Sequence, residues 1–118
     1  MKKKFIFCFD LDNTICLTKG KNYKSAKPIK IKINFINKLY KDGHIIKIFT
    51  SRFMGRNNEN VKKARKQGYT LTKKQLNKWG LKHHLLIMGK PSFDYFIDDK
   101  SLNFNNNWQK KIRSILKI

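Results

Sequence analysis

Acidic side chains are scarce in this sequence, seven against twenty-eight Lys and Arg, and their positions are clustered. Asp10 and Asp12 stand two apart at the end of the apolar run FIFCF, and Asp98 and Asp99 adjoin at the end of YFI. Carboxylates that close repel one another unless a cation sits between them or one keeps its proton. Thr50 closes a second apolar run, IIKIF, and is followed by Ser51 and Arg52; Lys90 follows a third, LLIMG. Acids from separate strands facing one point would make an all-oxygen site suited to a hard cation, Mg²⁺ above others. A hydroxyl at Thr50 and an ammonium at Lys90 would offer a donor and a positive charge to an anion. Together these groups describe phosphoryl transfer, where neutralising and positioning the phosphoryl group is most of the work. Asp10 would attack phosphorus to give an aspartyl-phosphate. Asp12 would protonate the leaving oxygen and later activate water.

Such a site needs elements that bring distant residues to one edge. Residues 4 to 9, apolar from Phe5 onward and β-rich, have the pattern of a strand buried on both faces, and IIKIF, LLIM and YFID (95 to 98) predict three more. Residues 15 to 28, with Gly20, Asn22 and Pro28, predict a loop or small hairpin. Ile33, Ile36, Leu39 and Tyr40 recur at helical spacing up to Gly43, which supplies a stop. A polar helix is expected near 57 to 67, closed by Gly68. Thr72 and Gln75 form a capping-box pattern for a second short helix ending at Gly80. Trp108, Ile112, Ile115 and Leu116 mark a terminal amphipathic helix. Strands alternating with helices are the grammar of an α/β fold with a parallel sheet covered on both faces. Ligands bind beyond the carboxyl ends of such strands, which is where four of the seven acids fall.

At 118 residues the chain is expected to form one domain, residues 1–118, with a sizeable core. The start, MKKKFIFCF, imitates a signal peptide, but its apolar run is too short before Asp10. No stretch reaches the length of a membrane-spanning helix. Cys8 and Cys16 match no metal spacing and are expected as reduced apolar side chains of a cytoplasmic protein. The net charge of +21 has two readings. One is a polyanion partner. The other, preferred here, is a bias towards A/T-rich codons: lysine vastly outnumbers arginine, Asn and Ile are abundant, and the lysines are scattered. His83 and His84 have no acid or thiol close by in sequence and are expected as turn residues; Trp79 and Trp108 are expected in the core.

The stretch Asp10-Leu11-Asp12-Asn13-Thr14, the IFT ending at Thr50, then Lys90, then IDD ending at Asp99 resembles the four ordered motifs of the haloacid dehalogenase superfamily of phosphatases. The resemblance covers nearly the whole chain. It implies a Rossmann-like three-layer fold, with a central, mainly parallel sheet and the strand bearing Asp10 in its middle. It implies Asp10 as nucleophile and Asp12 as acid and base, with Asp10, Asp12 (through its main-chain carbonyl), Asp98 and Asp99 around Mg²⁺. Thr50 would bind the phosphoryl group, with Ser51 and Arg52 as further substrate contacts, and Lys90 would balance the charge of nucleophile and phosphoryl group. Thr14 would orient the first loop. Asn13 stands where the family more often has Gly; both tolerate unusual backbone angles.

Lys90 lies only eight residues before Asp98, and a parallel crossover usually needs about a dozen residues or more. LLIM is therefore expected as a short edge strand or Lys90 on a loop. No room remains for a cap domain, so the site is expected to be open, either accepting a large substrate or roofed by a neighbouring subunit of a homo-oligomer. The expected substrate is a phosphorylated small molecule, such as a sugar phosphate. A nucleic-acid-end phosphatase or a basic nucleic-acid-binding protein is the alternative. A calcium loop lacks its Gly and closing acid. A receiver domain would place its acid pair first and its Lys last, the reverse of the order here.

Overall fold

The computed structural model describes residues 3–118; Met1 and Lys2, which open the leader-like basic stretch, lie outside the described residues. Three apolar runs form strands of one parallel sheet: β1 (Ile6–Phe9), β4 (Ile45–Thr50) and β5 (Leu85–Met88), in the order β1-β4-β5. Between β1 and β4 come a small antiparallel hairpin, β2 (Cys16–Leu17) with β3 (Lys27–Pro28), and the helix α1 (Lys30–Lys41). Helix α2 (Val61–Lys78) joins β4 to β5, and α3 (Trp108–Leu116) ends the chain. The result is an α/β molecule whose parallel sheet is consistent with a Rossmann-like fold, but β1, expected in its middle, stands at an edge because no strand forms at 95–98 to pair with its other side. Among the described residues, no helix is long and apolar enough to cross a membrane.

Register decides which side chains share a face. Phe9 pairs with Ile48, Ile48 with Leu86, and Thr50 with Met88. All five are buried, and Phe9, Ile48 and Leu86 lie in one core with Ile33, Ile36 and Leu39 of α1, Leu76 of α2, and Trp108 and Ile112 of α3. Burying an aliphatic side chain of this size stabilises the fold by roughly 1.5–3 kcal/mol. The alternate positions behave differently. Ile6, Cys8, Ile45 and Leu85 are exposed, and Phe49 and Ile87 are half-buried. The strands expected to be buried on both faces are thus fully covered on one. An uninterrupted apolar run places hydrophobes on both faces of a strand, whether or not anything covers the second.

Two helix boundaries also differ from expectation. Residues 61–78 form a single helix, and Gly68 does not end it. A Cβ at Gly68 would lie 2.3 Å from the Phe53 ring, so the missing side chain makes room for that ring against the helix. The helix starts at Asn60, whose side chain accepts from the Lys63 N–H (3.0 Å). Thr72 and Gln75 are therefore mid-helix residues rather than a cap. The expected strand at 95–98 is also absent. Tyr95 is 89% exposed and Ile97 95%, and no strand edge pairs with them. Their β-rich composition is real, but a strand exists only with a partner to bond.

Candidate active site

The loop after β1 is knitted by its own backbone. The carbonyl of Leu11 accepts from the N–H groups of Thr14, Ile15 and Cys16, and Asn13 takes a left-handed conformation (φ 63°) that lets the chain fold back. The Asn13 side chain accepts from the Thr18 N–H at 3.1 Å. This tight loop presents Asp10 and Asp12 beyond the carboxyl end of the sheet.

Asp10 is held by two groups. The Thr14 hydroxyl donates to its Oδ2 (3.0 Å), and Lys90 Nζ lies 3.4 Å from its Oδ1. Lys90 is 80 residues away in sequence, and β5 delivers it. Its N–H bonds the Thr50 carbonyl (3.2 Å), which continues the β4–β5 pairing by one step past the strand. LLIM is thus an edge strand, and Lys90 follows it on a turn at Gly89 (φ 98°). A Cβ at Gly89 would meet Val61 at 2.8 Å, so the turn sits hard against the start of α2.

Asp12 has a different partner from any the sequence suggested. The Arg52 guanidinium forks onto it, Nε to Oδ2 at 2.9 Å and Nη2 to Oδ1 at 2.8 Å. The Thr18 hydroxyl adds a third bond at 2.6 Å. The other arm of Arg52 donates to Gln75 Oε1 (2.6 Å) and to Thr72 Oγ1 (3.4 Å), both on α2, and its plane lies 5.0 Å from the Tyr23 ring. The arginine side chain is fully buried. Arg52 was expected to touch substrate; instead it is spent inside the protein, because only a planar fork satisfies Asp12, Gln75 and Thr72 at once. One signal could have found it: Arg52 is one of only four arginines in a chain that otherwise uses lysine.

Thr50 ends β4 fully buried; its Oγ accepts from the Arg52 N–H (3.2 Å), and its own hydroxyl proton is left for another acceptor. Ser51 lies beside it, half-buried. Cys16 lies under the loop, where burial pushes its thiol pKa up to about 11, so it is an inert thiol rather than a nucleophile. His84 bonds the sheet rather than idling in a turn: its Nδ1 accepts from the Ile46 N–H (3.0 Å). His83 faces Lys73 Nζ at 2.7 Å.

The structure thus brings together Asp10, Asp12, Thr14, Thr50, Arg52 and Lys90. It does not bring Asp98 and Asp99 to them. Both stand on an exposed arm, residues 91–107, between β5 and α3. The Asp98 carboxylate accepts from the Lys100 N–H (2.9 Å), which with its neighbour Asp99 holds its pKa below the usual range. Among the described residues no three Asp, Glu, His or Cys side chains are gathered for a metal ion. A surface depression of about 650 Å³ beside Pro28 and Trp79 lies elsewhere and contains no acid.

No family model matches the sequence, and no curated protein does. A solved structure from Vibrio cholerae, an MCSG target, is similar: TM-score 0.78 at 22% identity, over 99% of this chain and 98% of that one. At that identity the likeness concerns the fold.

Proposed function

We propose that this chain is a phosphohydrolase of the haloacid dehalogenase type, capless and Mg²⁺-dependent, that cleaves a phosphate monoester through an aspartyl-phosphate on Asp10. The observation that carries the reading is the approach of Lys90 to Asp10 across 80 residues, beside Thr50 and at the carboxyl end of a parallel sheet. A part-exposed carboxylate held by one lysine and one hydroxyl suits attack on an anionic phosphoryl group better than it suits a structural ion pair.

The steps follow from this chain's own groups. An Asp10 oxygen attacks phosphorus and the ester P–O bond breaks, the leaving oxygen taking a proton from Asp12. Water then attacks the phosphoryl group, gives its proton to Asp12, and releases inorganic phosphate and a free Asp10. Lys90 and the Thr50 hydroxyl hold the phosphoryl oxygens. Arg52 bonds both oxygens of Asp12, fixing it in one orientation, and contacts neither Asp10 nor Lys90.

Mg²⁺ would neutralise phosphoryl charge, but the loop after β1 does not by itself fit a resident ion. Asp10 is its one carboxylate free of a guanidinium, and a hard cation of this kind wants six oxygens in near-octahedral array. Asp98 and Asp99 would have to join Asp10 to hold it.

The test is a phosphatase screen with and without Mg²⁺, across sugar phosphates, other small phosphate esters and 3′- or 5′-phosphorylated oligonucleotides. Mg²⁺-dependent turnover of small esters supports the reading; no turnover of any ester refutes it. The +21 charge favours one second reading, a nucleic-acid-end phosphatase. Activity confined to oligonucleotides, falling steeply with salt, would establish that instead.

A further inference from the structure

Two features of the molecule are incomplete in complementary ways. β1 is an edge strand: β4 bonds one side, and its other side has no strand partner among the described residues. Its exposed positions, Ile6 and Cys8, are apolar. The arm after β5 carries the sequence of a buried strand, Tyr95-Phe96-Ile97-Asp98, with no strand to join. An open edge and an unpaired apolar segment are each a liability, and each is what the other lacks.

The arm cannot close that gap within its own chain. To run parallel to β1, residue 95 must start at the amino end of the sheet, beyond β1. Strands lie about 4.8 Å apart, so the slot beyond β1 is about 14 Å to the side of β5 and a strand length back. The arm's root is pinned on the β5 side, where Glu59 accepts from the Ser92 N–H (2.7 Å) and its hydroxyl (3.0 Å). From Ser92 to Tyr95 the chain can span at most about 10 Å. Only the far end of the arm, at Asp98, comes within electrostatic reach of Cys8 on its own β1.

We infer that the arm pairs with β1 of a second copy of this chain, in a reciprocal two-fold exchange that places Asp98 and Asp99 of each copy beside Asp10 of the other. Charge favours the same occupant. Residues 93–99, FDYFIDD, hold three of the chain's seven acids and no base, whereas Lys3 and Lys4 precede β1 and Lys47 is paired with Cys8 across the sheet. A chain of net charge +21 offers its acidic arm one obvious basic docking surface, itself. A two-fold operator buries both arms and both edges at once. The exchange also supplies the carboxylates that the loop after β1 lacks. That last point rests on the phosphohydrolase reading; the exchange itself does not.

Three measurements test it. Light scattering on the full chain should give about twice the 14.1 kDa of one chain; a monomer at micromolar concentration overturns the proposal. Ile97→Cys should form an oxidative cross-link with native Cys8 between two chains, a dimer band without reductant, which Cys8→Ser abolishes. A cross-link confined within one chain overturns the exchange whatever the mass. Finally, Asp10→Asn and Asp98→Asn proteins, each inactive alone, are unfolded together and refolded. Half of the random dimers are mixed and each has one intact site, so about a quarter of wild-type activity should return. No recovery, with active wild type, refutes the shared site. If the wild type turns over no ester, the phosphohydrolase reading fails, and mass and cross-link still decide the exchange.

Discussion

Two stretches of this molecule each carry a pair of aspartates, and the protein treats them in opposite ways. The loop after β1 surrounds Asp10 and Asp12 with Thr14, Thr18, Lys90 and a buried Arg52, and its backbone folds onto the Leu11 carbonyl. The arm after β5 leaves Asp98 and Asp99 in solvent with only local bonds. The difference teaches what an acid pair needs. A carboxylate kept in place by its own chain must be bought with donors, whereas one destined for a shared site can wait exposed until its partner arrives.

The largest expected effect comes from Asp10→Asn. It removes the proposed nucleophile, so turnover should fall by about a thousandfold or more. Its thermal unfolding midpoint should stay close to wild type, because the amide still accepts from Thr14. Asp98→Asn sharpens the contrast. On the exposed arm it should shift the denaturation free energy by no more than about 0.5 kcal/mol, yet turnover should collapse. Retained activity would release Asp98 from the site.

Arg52→Met breaks the first region rather than the second. It leaves the Asp12 carboxylate with only the Thr18 hydroxyl bond and takes the donor from Gln75 Oε1 and Thr72 Oγ1, and should cost about 3 kcal/mol in a denaturant titration. Arg52→Lys keeps the charge but loses the fork, and should recover part of both stability and rate. Because Arg52 is buried away from any substrate, the loss should fall on kcat with KM little changed. A raised KM at unchanged kcat would return Arg52 to substrate binding.

The remaining two effects are smaller. Gly68→Ala forces a methyl into the Phe53 ring and should cost about 1–3 kcal/mol. His44 is buried with Nδ1 accepting from the Phe5 N–H (3.0 Å); burial, and then Lys4, hold its pKa below the ordinary value. The unfolded chain therefore takes up a proton first, near pH 6.5, so stability is fullest above about that pH and declines as pH falls through it. Denaturation midpoints at two pH values on either side of that point should show the decline, and a His44→Gln variant should flatten it.

Much of this layout was legible in the sequence. The apolar runs marked β1, β4 and β5, helical spacing marked α1 and α3, and the rule that ligands gather at the carboxyl ends of parallel strands put Asp10 and Lys90 at one edge of the sheet. What escaped has a common cause: it depends on a partner distant in the chain. Arg52 pairs with Asp12 forty residues away, and Thr72 and Gln75 imitate a cap when read locally but serve that arginine. Gly68 looks like a stop unless Phe53 is known to lie on it. Residues 95–98 have strand composition, which records a preference for pairing and says nothing about which edge, or whose, is available.

Helix α2 touches both acids through intermediaries. Val61, at its start, is wedged against the Gly89 turn that aims Lys90, and Thr72 and Gln75, further along, grip the arginine that aims Asp12. The helix therefore works as one rigid lever with two loads. A slide or tilt of α2 cannot retune the nucleophile's cation without also shifting the clamp on the proton carrier, and any substitution that moves it should register at both carboxylates together.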